Sequence, residues 1–247
     1  MYLIRNLLLL LFLFTVTVWS QSLKAEYRVS FGIFGQVGLA KADLQIEGKR
    51  YTIRIEGYAI GMAKRMSKGR KEVHISSGHI VEGRLVSDRY EVNKEYGKKK
   101  TIKLYSINHT KREVKKSKKK YRDGKLVFDK NSILDFYAQD DLLTLYFNIS
   151  KLIDKKEEKS KHLFSAVGAE RQKGSVEILI PSIEERKVYE SSLGRGDYWY
   201  LTAIIYQKIF ASNQGELYLA IDKDGITQKA MLKDVLLFGD VLVERIK

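Results

Sequence analysis

The chain has 247 residues, 44% of them hydrophobic, no cysteine, and a formal net charge of +15. The lack of thiols excludes a disulfide framework, thiolate metal sites, cysteine nucleophiles and a lipid-modified cysteine anchor. Once an N-terminal leader is set aside, about 220 residues remain, which suits one large β domain held together by its core.

Residues 1–25 read as a secretory signal peptide. Arg5 supplies a short basic region, residues 7–18 form an apolar stretch of 12, and Ser20, Ser22 and Ala25 are small. A membrane-spanning helix needs about 20 apolar residues, and Gln21, Ser22, Lys24 and Glu26 follow at once. Cleavage is expected between Ser20 and Glu26. The product is an exported single domain over residues 26–247.

From Glu26 onward apolar and polar residues alternate with the period of half-buried strands. Tyr27, Val29 and Phe31 share a face, as do Tyr51, Ile53, Ile55 and Gly57. Val73 and Ile75, Tyr90 and Val92, Ile102 and Leu104, Val176 and Ile178, and Leu217, Leu219 and Ile221 continue the pattern. Gly32, Gly35, Gly38, Gly57 and Gly61 fall within these runs. Glycine inside a strand marks bulges or sharp bends, so a strongly curved sheet is expected. Leu142, Leu145, Ile149 and Ile153 break the rhythm with helical spacing. Asp140 or Asp141 can cap that helix, predicted over 141–153, and Lys151 suits its C-terminal end. The helix is expected to lie on the sheet or plug its open side. Residues 197–210 are aromatic and β-branched and read as strand. Asp222-Lys223-Asp224-Gly225 reads as a hairpin turn. The fold class is mainly β: a large curved antiparallel sheet, half-barrel-like, with one helix packed on it.

Charge is concentrated. Residues 94–125 carry 14 Lys or Arg against Glu95, Glu113 and Asp123. They read as two strands, 101–107 and 113–120, and the block 115–120 looks too like-charged to be buried. Such lysines can simply protect an exposed edge. They can also meet an anionic partner, and Lys111, Arg112, Lys115, Lys116, Lys118, Lys119 and Lys120 are the candidates for a phospholipid headgroup or membrane surface. Export disfavours nucleic acid.

No active site is indicated. His74 and His79 are five residues apart on a strand, which sends them to opposite faces, so no metal site is expected, and no cofactor. Asp140-Asp141, Glu157-Glu158 and Glu184-Glu185 fit helix capping and solvated loops better than acid–base chemistry. The glycosylation-type triplets at Asn108 and Asn148 read as chance. The chain is expected not to be an enzyme.

The strand at 27–35, the strand at 51–61, the Ser76-Ser77-Gly78-His79-Ile80 turn and the helix start at 140–148 occur in an order that resembles the exported bacterial domain-of-unknown-function family 3108. Ser87, in Leu85-Val86-Ser87-Asp88-Arg89-Tyr90, departs from that family's pattern. The resemblance implies a periplasmic protein with a curved antiparallel sheet and no established activity. A curved sheet crossed by a helix is also similar to the half-barrel of periplasmic lipoprotein carriers. The expected function is therefore non-catalytic envelope binding of a hydrophobic or lipid-like ligand on the concave face. Tyr27, Phe31, Phe34, Tyr51, Tyr58, Tyr198, Trp199 and Tyr200 would line it, unless they are core. The alternative is a scaffold that docks an envelope protein through an edge strand or the basic hairpin.

Overall fold

The computed structural model describes residues 20–206, 215–235 and 239–247. Residues 1–19 of the expected leader and residues 207–210 of the expected strand lie outside the described residues. In chain order the strands are β1 (Ser20–Phe31), β2 (Gln36–Glu47), β3 (Arg50–Ala59), β4 (Lys71–Val81), β5 (Arg84–Tyr96), β6 (Lys99–Asn108), β7 (Glu113–Arg122), β8 (Lys125–Ile133), β9 (Asp140–Asp141), β10 (Ser160–Val167), β11 (Ser175–Ile180), β12 (Trp199–Ile205), β13 (Gly215–Ile221), β14 (Thr227–Val235) and β15 (Gly239–Arg245). Helix α1 (Gly61–Met66) joins β3 to β4, α2 (Leu142–Leu152) follows β9, and α3 (Arg186–Leu193) lies between β11 and β12.

All fifteen strands belong to one unclosed sheet, ordered β8-β7-β6-β5-β4-β3-β2-β1-β15-β14-β13-β12-β11-β10-β9. Neighbours are antiparallel except β9 and β10. The sheet curls until its β9 edge reaches β5, where Ser87 N donates to Gln139 O at 3.3 Å. Strands β6, β7 and β8 run on past this seam. β8 ends as an edge with all nine residues exposed.

The expected helix forms because its apolar residues need cover and its first turn is capped. Asp141 accepts from Leu143 N at 2.7 Å and from Thr144 N at 3.1 Å, while Thr144 Oγ1 accepts from Asp141 N at 2.7 Å. This capping box satisfies donors that a helix start leaves open. Leu145, Ile149 and Ile153 pack on Ile178, Leu201, Leu219 and Ile221 of one sheet half. Leu143 packs on Tyr51, Ile53, Tyr90, Val92 and Tyr105 of the other. Each such side chain, fully buried, contributes roughly 1.5–3 kcal/mol. The helix thus acts as a keel between two facing halves.

Three sequence expectations change. Residues 76–80 do not turn; they lie inside β4, where the β4–β5 register slips between Ser77 and Gly78. A Cβ on Gly78 would stand 1.9 Å from Val86 O, so the bulge demands glycine. Gly32, Gly35 and Gly61 have positive φ and serve turns, not strand interiors. The helix count also rises, because α3 covers the convex side, burying Tyr189 and Leu193 against Tyr200, Tyr218 and Ala220.

Candidate functional site

Between the facing halves lies a cavity of about 680 Å³. Its floor is the α2 face bearing Leu142, Leu145, Tyr146 and Ile149. One wall is Val176, Ile178, Leu201, Ala203, Leu217 and Leu219 from β11 to β13. The other is His74, Tyr90, Val92, Lys94, Lys103 and Tyr105 from β4 to β6. The loop Gly168 to Gln172 also lines it. The size falls within the range of about 300–1,000 Å³ typical of small-molecule sites.

Cross-strand register decides what the lysines do. Successive partners Ile55, His74, Val92, Lys103, Lys118 and Lys130 share one face. So do Tyr90, Tyr105 and Lys116, and likewise Lys94, Thr101, Lys120 and Phe128. Since His74, Tyr90, Val92, Lys94, Lys103 and Tyr105 line the cavity, the concave face carries six ammonium groups: Lys94, Lys103, Lys116, Lys118, Lys120 and Lys130.

Two carboxylates oppose them. Glu170 accepts from Tyr105 Oη and from Lys116 Nζ, with Lys103 Nζ at 3.7 Å. Burial pushes its carboxyl up, but the hydrogen bonds from Lys116 and Tyr105 and the charge of Lys103 hold it below the usual range. Glu72 accepts from Lys94 at 2.7 Å. Burial again acts upward and is outweighed by hydrogen bonds from His74, Lys94 and Arg70, leaving Glu72 well below the usual range. Lys118, Lys120 and Lys130 have no carboxylate partner among the described residues; Lys118 and Lys120 sit over the Phe128 ring at 5.8 and 5.2 Å. Burial and then the charges of Lys120 and Lys116 push Lys118 down. Lys103 is lowered by burial and by Lys116, Lys118 and Lys94, against the pull of Glu170. Lys120 and Lys130 are exposed, but Lys103 and Lys118 are partly buried, and crowding like charges there is costly unless an anion joins them.

The tyrosines set the neutral part of the site. Tyr90 and Tyr105 stack with ring centres 5.6 Å apart, and Tyr90 Oη lies 2.7 Å from His74 Nδ1. Burial drives both phenols far above their ordinary value, Tyr105 further through its bond to ionised Glu170. They remain neutral donors and apolar surface, not nucleophiles. Among the described residues no group of three His, Asp or Glu side chains is placed to hold a metal.

The expected ligand-binding aromatics do not line this cavity. Tyr51 is 2% exposed, with its hydroxyl 3.1 Å from Ser76 Oγ. Tyr198 and Tyr200 pack with the convex-side cluster, whereas Trp199 joins the inner core. Tyr58 lies on the convex side with Arg54 and Glu56, paired to Lys71. Tyr27 is on the concave side, and Phe31 and Phe34 meet at a strand end with centroids 6.4 Å apart. Of the expected cationic contacts, Lys116, Lys118 and Lys120 face inward. Lys115 and Lys119 face outward, near Glu113 and Asp129. Lys111 and Arg112 occupy the β6–β7 turn, Arg112 lying 4.6 Å over the Tyr137 ring. Block 115–120 is therefore split between two faces, and Lys116 is largely buried by its pairing with Glu170. Lys94, Lys103 and Lys130 complete the inner set through cross-strand register, which alternation within a single strand does not supply.

No curated protein matches the chain. Among solved structures it is similar to the β-barrel-like protein of domain of unknown function DUF1849 from Brucella abortus, with a TM-score of 0.50, 11% identity, and 93% of this chain and 96% of that one covered. At that identity the likeness concerns the fold. The family described as protein of unknown function (DUF3108) matches residues 26–239. With the match spanning nearly every strand of the curved sheet, the chain belongs to the DUF3108 family.

Proposed function

We propose that the protein is a non-catalytic, exported envelope protein that holds an anionic amphiphile, its apolar chain in the cavity and its charged head on the lysine face. The observation that carries this reading is a cavity with aliphatic walls that is also lined by Lys94, Lys103 and Glu170, and that adjoins the sheet face bearing Lys116, Lys118, Lys120 and Lys130. A purely apolar ligand would leave the partly buried Lys118 unanswered. A small polar anion would leave the floor of Leu145 and Ile149 unused. Neutral buried phenols and ionised carboxylates suit binding better than proton transfer. Export to the periplasm is supported by the three-zone leader.

Delipidated protein incubated with envelope lipid extract should gain mass in native mass spectrometry. The Lys103→Glu, Lys118→Glu double variant should lose anionic adducts by about tenfold or more, since a charge-assisted hydrogen bond contributes roughly 1.5–3 kcal/mol. A wild-type protein that gains no mass refutes the proposal.

The exposed β8 edge supports a second reading, docking of an extended segment by strand addition. Leu126→Lys would then abolish capture of an envelope protein while leaving cavity binding intact.

A further inference from the structure

We propose that the end of the sheet formed by the β3–β4, β5–β6 and β7–β8 connections is a docking platform for an anionic phospholipid bilayer. The three connections form one surface: Gly97 N donates to Lys68 O at 2.7 Å, and Asp123 N donates to Lys98 O at 2.9 Å. The first of them, residues 60–71, contains Lys64, Arg65, Lys68, Arg70 and Lys71 and no acidic residue. Across the platform Lys64, Arg65, Lys68, Lys99, Arg122 and Lys125 are exposed. None of the six has a carboxylate partner among the described residues, whereas Lys98, Lys100 and Arg70 pair with Asp123, Glu95 and Glu72.

Apolar tips stand among these cations. Met62 is 65% and Met66 is 70% exposed. They are four apart on α1, so they project from the same side of the helix. Tyr96, at the end of β5, is 45% exposed. Flexible thioethers flanked by cations suit the boundary between headgroups and acyl chains, where apolar burial and attraction to anionic lipid act together. A nucleic-acid or acidic-peptide partner would give the methionine pair nothing to enter. At the opposite end of the same strands Arg50 pairs with Asp88, and Arg112 in the β6–β7 turn lies over Tyr137. The platform also lies at the end where the cavity walls run out through Lys94 and Tyr206, but the inference stands without the cavity reading.

The test is co-sedimentation with phosphatidylglycerol–phosphatidylethanolamine vesicles and with phosphatidylcholine vesicles, at low and high salt. Binding should favour the anionic vesicles and weaken with salt. The Lys64→Glu, Arg65→Glu, Lys68→Glu variant should bind roughly a hundredfold more weakly, at about 1 kcal/mol per cation. Met62→Ser, Met66→Ser should weaken binding without a charge change. Lys111→Glu, Arg112→Glu at the opposite end should bind like the wild type. Equal binding to both vesicle types overturns the proposal, as does loss of binding in the Lys111, Arg112 variant but not in the platform variants. Palmitate adducts measured on the same triple variant by native mass spectrometry separate this result from the fate of the cavity reading.

Discussion

Replacing Asp141 by alanine should unfasten the helical floor of the cavity from the sheet. Asp141 is fully buried and its carboxylate accepts four hydrogen bonds: Leu143 N and Thr144 N on one oxygen, Ser76 Oγ at 2.5 Å and Ser87 Oγ at 2.6 Å on the other. It therefore caps α2 and also ties it to β4 and β5. Loss of an N-cap costs about 0.5–2 kcal/mol. Two buried hydroxyls left without their acceptor add roughly 1–3 kcal/mol each. Against this stands the relief of a carboxyl whose burial raises its pKa, so a net loss of about 2–5 kcal/mol is expected. For a domain of this size that lowers Tm by roughly 4–20 °C. Asp141→Asn keeps one cap oxygen and should lose about half as much. Thermal and urea unfolding followed by circular dichroism gives both values. An alanine variant within about 0.5 kcal/mol of wild type, the scale of ordinary surface substitutions, would refute the keel role of α2.

Gly78→Ala should be among the most damaging single substitutions, because the added Cβ meets Val86 O at 1.9 Å and Asp88 N at 2.9 Å, both backbone atoms; soluble expression and urea midpoint measure it, and a stable variant would contradict the bulge geometry. Glu72 and Glu170 have folded-state pKa values below their ordinary 4.5, so the stability they contribute is complete above that value and is lost as pH falls toward the folded pKa. Urea midpoints should therefore drop between about pH 5 and about pH 3, and the drop should shrink in Glu170→Gln. Strand β1 pairs with β2 from Ser20↔Glu47 onward, and Ala25 is 2% exposed. Under the proposed export, intact mass of the mature protein should place the cut near Ser20, and a protein starting at Glu26 should be less stable by roughly 1–3 kcal/mol.

Most of the architecture was legible because alternation and helical spacing are strong local signals. Leu142, Leu145, Ile149 and Ile153 marked the helix, and its cap was narrowed to Asp140 or Asp141. Strand β8 was missed because a wholly exposed edge needs no apolar face, so Leu126, Val127 and Phe128 alternate with nothing. Helix α3 was missed because Tyr189 and Leu193 are its only buried residues among charges. Ser76 to Ile80 has turn composition, yet its glycine serves a bulge where the backbones approach too closely for a side chain. Alternation also says which residues share a face but not which face is concave, and that choice separates Tyr90 and Tyr105 from Tyr58 and Tyr200. The lysine face was half legible: 116, 118 and 120 alternate with 115 and 119, but Lys94, Lys103 and Lys130 join them only through register.

The central claim, that aliphatic walls and lysines act on one ligand, is tested most directly by titrating delipidated protein with palmitate and with hexadecanol. The account predicts that palmitate binds more tightly and that Lys103→Glu, Lys118→Glu removes this preference while hexadecanol binding persists. Ala203→Trp, which fills the cavity from β12, should abolish both. Equal affinity for the two probes in the wild type, or undiminished palmitate binding in Ala203→Trp, would contradict it.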